Sequence, residues 1–352
     1  MRTILVTGGA GFIGSCFVRQ SLASGDVAVI TLDSLTYASS TESLASVLDH
    51  PRHTFVRADV RERHVVEALL KERVPSAIVN FAAETHVDRS IDAPGRFLEA
   101  NAVATQCLLD TAHSYWRQLP ASQQSEFRFV QVSTDEVFGS LGTDGKFTER
   151  SPYAPNSPYA ASKAAADHMA RAYFRTFGLP TVVTYCGNNF GPYQFPEKLI
   201  PLATLNALGG RAIPVYGDGS QVRDWIHVSD HCRALWSVLT RGRPGEAYAI
   251  GAECERTNLQ VVQSICSAVD RLCESAAHAP SASLIQFVQD RPGHDRRYAL
   301  DASKIRTELG WRPVADFEHE LAETVRWYLE NRDWAERITA GKYGGERLGL
   351  PR

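Results

Sequence analysis

Thr3-Ile4-Leu5-Val6-Thr7-Gly8-Gly9-Ala10-Gly11-Phe12-Ile13-Gly14 opens the chain and decides its fold. Thr3 to Val6 is a short, mostly apolar run, as expected of a parallel strand buried on both faces. It enters a glycine-rich turn and then a helix with Phe12, Ile13, Cys16 and Phe17 on its inner side. Glycines at 8, 11 and 14 follow a G-x-x-G-x-x-G spacing, a variant of the dinucleotide fingerprint. Gly8 allows a tight turn and Gly11 a close backbone approach to a pyrophosphate. Gly14 lets the helix lie tightly on the strand, with the pyrophosphate at the helix N-terminus.

Outward from this turn, strand and helix patterns alternate. Val27 to Leu32 reads as a second strand ending in Asp33, about 20 residues after the glycines, where a carboxylate bonds ribose hydroxyls and repels a 2′-phosphate. NAD is therefore expected over NADP. His53–Arg57 is a third strand, followed by Asp59-Val60, and Ala77–Phe81 a fourth, leading to Ala82-Ala83-Glu84-Thr85-His86. Ala93 to about Trp116 reads as one long helix, and Leu119 to Glu126 as a polar surface loop without function. Phe129–Val132 is a fifth strand delivering Ser133-Thr134-Asp135-Glu136, and Thr181–Tyr185 a sixth. The alternation implies a doubly wound parallel sheet of Rossmann type, with the site at the strands' carboxyl ends.

Between the last two strands, Ser157-Pro158-Tyr159-Ala160-Ala161-Ser162-Lys163 begins a helix ending near Gly178. Tyr159 and Lys163 are one helical turn apart on one face. There an ammonium can favour ionisation of a phenol whose ordinary pKa is about 10. A tyrosine made acidic in this way can take a hydroxyl proton while hydride leaves the same carbon.

Beyond Cys186 the texture changes to turn formers and polar residues. A helix at about 197–209, a strand from Ile213 to Tyr216 and a second helix follow, and Ala247–Ile250 could return to the main sheet. Asn258 to Glu274 is helical, Asp290 to Arg297 is a charged turn, and amphipathic helices close the chain. No repeat or linker separates the halves, so a smaller α/β substrate lobe is interleaved with the first. The expected division is 1–185 plus about 222–252 for the Rossmann lobe, and about 186–221 plus 253–352 for the other.

With 352 residues, 44% of them hydrophobic, and a net charge of -3, the chain has ordinary globular composition. Near-neutral charge without a basic run argues against nucleic acid. No apolar stretch approaches the roughly 20 residues of a membrane span. The first strand leaves no room for a signal peptide. Seven cysteines without C-x-x-C spacing fit reduced, buried thiols in a cytoplasmic protein. No metal is expected: His227 and His231 read as a strand-to-helix junction.

Assembled, GGAGFIGS, LDSLTYA, AAETHVDRSI, STDEVFG, SPYAASKAAADH, NNFGPYQFPEKLIPL, PVYGDG, RDW and DRPGHDRRYA stand in the order of a known family. The chain resembles the extended short-chain dehydrogenases/reductases that modify nucleotide sugars, and among them the dTDP-glucose 4,6-dehydratases, to about residue 330. The resemblance implies that Tyr159, with Thr134 and Lys163, takes the sugar O4 proton as C4 hydride passes to NAD. The 4-ketone acidifies C5, Glu136 removes that proton, Asp135 protonates the departing C6 hydroxyl, and hydride returns to C6. Adjacent carboxyls with opposite roles need different protonation states, which mutual repulsion helps to create.

By the same resemblance Gly8, Gly11, Phe12, Ile13, Gly14, Asp33, Ser34, Leu35, Thr36, Asp59, Val60, Ala82, Ala83, Glu84, Tyr159, Lys163 and Asn189 hold NAD. His86, Thr134, Asn188, Lys198, Leu199, Pro214, Val215, Tyr216, Arg223, Asn258, Asp290, Arg291 and His294 fall at substrate positions, the two arginines suiting a diphosphate. A homodimer through a four-helix contact of 93–116 and 157–178 is also implied. Ser39, Ala100, Tyr185 and Gly187 depart from the family's usual Gly, Thr, Asn and Ser. They touch cofactor and substrate walls and leave nucleotide preference open to UDP-glucose or another nucleotide hexose. An epimerase or decarboxylase would leave Asp135-Glu136 without a task. A non-enzymatic NAD-sensing module would not need all five catalytic residues.

Overall fold

The computed structural model describes residues 2–273 and 280–349. Its centre is a seven-stranded parallel sheet of β1 (Arg2–Thr7), β2 (Val27–Asp33), β3 (His53–Arg57), β4 (Ala77–Asn80), β5 (Arg128–Thr134), β6 (Thr181–Cys186) and Ala247–Ile250. Within β1 the side chains alternate: Ile4 and Val6 enter the core on one face of the sheet, Leu5 that on the other. Helices cover both faces, so all three are fully buried, which is why the strand reads as an unbroken apolar run. Helices Phe12–Ala23 and Val228–Arg241 cover one face, and Arg63–Arg73, Ala104–Trp116 and Pro158–Phe177 the other. Ala247–Ile250 does return to this sheet, parallel to β6.

The chain lays down β1, β2 and β3 in one direction, then returns to place β4 beside β1 and builds outward the other way. The reversal leaves a crevice at the carboxyl ends of β1 and β4.

With the Ala247–Ile250 strand of the central sheet numbered β10, a smaller lobe holds β7 (Asn188–Phe190), β8 (Ile213–Tyr216), β9 (Val222–His227), β11 (Glu255–Thr257) and β12 (Ile285–Val288). Strands β11, β9 and β7 form one sheet, and β12 pairs parallel to β8. Helices Leu199–Leu208, Asn258–Leu272 and Phe317–Glu330 enclose its own core. The boundary expected at about 222 separates β9 from the sheet in which it pairs, although Ile226 within β9 already packs into the first lobe's core. The tail crosses back too, since Ile305, Leu309 and Trp311 are buried in the first lobe's core. The expected end of helix 258–274 at Glu274 lies outside the described residues.

Two local expectations are corrected. Ala121–Glu126 is a short helix rather than a loop; none of its residues is buried, so it carries no apolar stripe to read. The stretch from 93 to 116 is not one regular helix: Pro94–Phe97 runs into a π-helical turn, Leu98–Val103, before Ala104–Trp116. The wide turn points Asn101 inward, where its Oδ1 accepts from the Glu84 amide at 2.8 Å and its Nδ2 donates to Ser162 Oγ at 2.9 Å.

Candidate active site

The glycine turn is shaped by close backbone contacts. Gly8 has φ +66°, and a Cβ there would lie 2.7 Å from the Ala82 nitrogen. A Cβ on Gly14 would meet the Gly8 oxygen at 2.3 Å. Gly11 caps the following helix in extended conformation without a side-chain bond, so the first-turn amides face the crevice. Asp33 at the end of β2 is buried and accepts from the Ala10 and Leu35 amides at 2.9 and 2.8 Å. Burial pushes its pKa up, and these bonds oppose the rise. Backbone donors at a helix N-terminus with a carboxylate at the next strand's end fit the pyrophosphate and ribose of a dinucleotide.

These groups line a cavity of about 440 Å³. Every residue assigned to the cofactor lines it except Leu35, whose side chain turns into the core beneath. Thr134, Asp135, Glu136, Tyr159 and Lys163 line the same cavity, with Asn188 and Lys198 from the smaller lobe.

Each catalytic candidate is placed by an identifiable local structure. After β5, Asp135–Phe138 makes a tight 3₁₀ turn whose Glu136 amide donates to Thr134 Oγ at 3.3 Å. Ser157 caps helix Pro158–Phe177 by accepting from the Ala160 amide at 3.1 Å, Pro158 stands in its first turn, and Gly178, with φ +76°, ends it. Tyr159, Lys163 and Asp167 thus occupy one buried stripe. Lys163 Nζ donates to the Val132 carbonyl at 2.8 Å, and Tyr159 stands edge-on to Phe97.

The two carboxyls differ. Asp135 is buried, and burial followed by repulsion from Glu136 pushes its pKa well above the carboxylate range. Burial raises Glu136 as well, but Arg291, Arg223 and Lys198 oppose the rise in that order. Tyr159 does not show the expected acidity in the protein by itself: burial, then Glu136, pushes the phenol well above its ordinary value. Burial pulls Lys163 down, with Asp167 opposing.

The remaining substrate candidates lie outside the cavity wall. Arg291 pairs with Asp88 at 2.6 Å, and Tyr216 donates to the other Asp88 oxygen at 2.9 Å. His294 Nδ1 lies 2.6 Å from Asp290, Arg223 donates to the Asp295 carbonyl at 2.9 Å, and burial holds His86 neutral, down to about 3. Arg223 and Arg291 nonetheless sit close enough to act on Glu136. Val215 is buried in the smaller lobe's core, beside the half-buried Pro214. Leu199 and Asn258 begin helices, the Asn258 amide donating to the Gln221 carbonyl at 2.9 Å. Reading the sequence missed Asp88 and the buried Glu197, which accepts from Tyr37 at 2.7 Å and Arg89 at 2.9 Å. Both stand inside quoted motifs, each followed directly by a basic residue, Arg89 and Lys198, as a solvated charge would be.

The model of the family described as GDP-mannose 4,6 dehydratase matches residues 5–324. A dTDP-glucose 4,6-dehydratase from Xanthomonas campestris pv. campestris (strain B100) is 53% identical over 99% of both chains, and one from Escherichia coli 49% identical over 99% of both. The crystal structure of DesIV, a dTDP-glucose 4,6-dehydratase from Streptomyces venezuelae with NAD and TYD bound, superposes with a TM-score of 0.87. It is 49% identical, and the match covers 96% of this chain and 99% of that one. The chain belongs to the dTDP-glucose 4,6-dehydratase family.

Within this dehydratase frame the four departures have definite settings. Ser39 donates to Asp33, and Ala100 lines the cavity. Tyr185 is fully buried, its hydroxyl 2.7 Å from that of Tyr153. Gly187 lies against Asp224, whose carbonyl oxygen would be 2.5 Å from a Cβ there. All seven cysteines are free, but Cys107, Cys254 and Cys273 are only half-buried, contrary to the expected burial. His227 ends β9 and His231 lies in the next helix; their Nδ1 atoms bond Ser229 and Asn189 separately. Among the described residues no group of three or more His, Cys, Asp and Glu could hold a metal, and no helix is long and apolar enough to cross a membrane.

Proposed function

We propose that the protein dehydrates dTDP-glucose to dTDP-4-keto-6-deoxyglucose with NAD as its cofactor. The observation that carries the reading is the unequal setting of Asp135 and Glu136 beside Tyr159, in a cavity built around a dinucleotide cradle. Bound NAD supplies the hydride acceptor for the first step and the donor for the last. Tyr159 takes the O4 proton, with Thr134 orienting the hydroxyl. Glu136, facing three cations, is the group of the pair that ionises and takes the C5 proton. Asp135, kept protonated by burial and by its neighbour, gives a proton to the C6 hydroxyl as it leaves.

In this reading the first lobe binds the dinucleotide and the second the sugar nucleotide, with Arg223 and, once Asp88 releases it, Arg291 as diphosphate ligands. The protein is read as a homodimer through the helices at 94–116 and 158–177, on which Leu98, Val103 and Phe177 stay exposed. Seven free thiols fit the cytoplasm. Incubating purified protein with dTDP-, UDP-, GDP- and CDP-hexoses tests the reading by mass spectrometry. The dTDP-glucose sample is expected to yield a product lighter by one water; no such product from any of them overturns it.

A further inference from the structure

Lys163 is almost fully enclosed, and its Nζ has one hydrogen-bond partner among the described residues, the neutral Val132 carbonyl. Burial in that setting pulls an ammonium's pKa down, and a negative charge nearby opposes the fall. Asp167 is fully buried one helical turn further on, on the same face. Its Oδ2 accepts from Ser133 Oγ at 2.5 Å and from Tyr153 at 3.4 Å, while its Oδ1 has no hydrogen-bond partner among the described residues. Tyr153 is bonded at 2.7 Å to Tyr185, which accepts from Arg171 at 2.8 Å. The unusual Tyr185 thus completes a chain of polar groups that anchors the carboxylate from the side away from the cavity.

We propose that Asp167 is a positioning residue: its carboxylate keeps the buried Lys163 ammonium charged, and through that charge sets the ionisation of Tyr159. The inference rests on Tyr159 being the base. Tyr159 faces Glu136 and Asp135 from the turn after β5 and the Cys186 thiol from β6. Lys163 faces Asp167 and Cys186. Asp167 faces Lys163 and Arg171 along its own helix, with Ser133 and Tyr153 across from it. Among the described residues Asp167 is the only carboxylate acting on Lys163. Although pushed up to about 6, it remains ionised at neutral pH.

The test titrates Tyr159 directly in NAD-saturated protein, by NMR of ¹³C-labelled tyrosine with the line assigned through Tyr159→Phe. Asp167→Asn keeps an acceptor for Ser133 and is expected to raise the Tyr159 pKa by about one unit or more, a tenfold loss of phenolate at fixed pH. In a Lys163→Met background the same change is expected to produce no upward move. An unmoved or lowered pKa in the first case, or a rise in the second, overturns the proposal. Should Asp167→Asn fail to fold, Ser133→Ala serves: with one donor fewer, Asp167 holds its proton more readily. The Tyr159 pKa is then expected to move the same way by less, and no movement overturns it. No sugar nucleotide enters the titration, so a failed dehydration assay and a failed inference are distinguishable.

Discussion

Ser39 Oγ donates to Asp33 Oδ1 at 2.9 Å, so the serine hydroxyl helps hold the carboxylate expected to meet the ribose. With the Ala10 and Leu35 amides, Asp33 receives three donors and keeps a lone pair for a ligand. Ser39→Gly is expected to weaken NAD binding several-fold, since one such bond contributes about 1 kcal/mol. Calorimetric titration of nucleotide-stripped protein measures it. Equal or tighter binding would mean that the hydroxyl competes with the ribose instead of preparing for it.

Gly187→Ser adds a side chain where this chain has no space for it. The added Cβ would lie 2.5 Å from the Asp224 carbonyl oxygen, and that oxygen belongs to β9, which the sheet holds in place. Overpacking of this kind costs about 1–3 kcal/mol. A melting temperature lowered by several degrees is expected by calorimetry; an unchanged one would show that β9 yields freely.

Leu98 and Val103 are 53% and 44% exposed on the helical stretch proposed to meet its copy. Leu98→Glu with Val103→Glu is expected to give a folded monomer by light scattering, with the unmodified protein a dimer. A wild-type monomer at micromolar concentration would remove the four-helix contact.

The fold was legible because its signals are local. The glycine turn, the strand before it and Asp33 fall within one βα unit, and Ser157-Pro158 and Gly178 mark a helix by capping chemistry alone. The π-helical turn was not legible, because it depends on Asn101 meeting Glu84 and Ser162 in the folded chain. Nor was the Asp88–Arg291 pair, whose members are 203 residues apart and whose pairing leaves Arg291 engaged before any ligand arrives. Val215 belongs to a strand whose burial alternates, and the family motif did not say which face it presents.

The dehydration rate should follow a bell in pH set by the acidic pair. Glu136 works ionised and its pKa is raised, so activity should fall on acidification at a pH above the ordinary carboxylate value of about 4.3. Asp135 works protonated and is raised further, so activity should fall again on the alkaline side as that proton leaves. The kcat profile at saturating sugar nucleotide checks both limbs. An acid limb at or below the ordinary value would contradict the raised pKa of Glu136.

Loss of either carboxyl should separate oxidation from dehydration. Asp135→Asn removes the proton donor for the C6 hydroxyl, and Glu136→Gln the base for the C5 proton. Tyr159, Lys163 and the glycine turn are untouched by either change, because they sit on other elements. The amides keep nearly the size of the carboxyls, so the turn after β5 can persist, its Glu136 amide still bonded to Thr134. A positioned acid or base contributes about 10²–10⁴-fold, and turnover should fall by that much. On mixing with sugar nucleotide, both variants should still develop reduced-nicotinamide absorbance, which should persist instead of decaying. Exchange of the C5 hydrogen with deuterated water discriminates between the two: it should continue in Asp135→Asn, where Glu136 still works, and drop sharply in Glu136→Gln. Stopped-flow absorbance and mass spectrometry follow the two signals. If both variants dehydrate the sugar at near wild-type rates, the pair is a turn without chemistry and its assignment as acid and base fails.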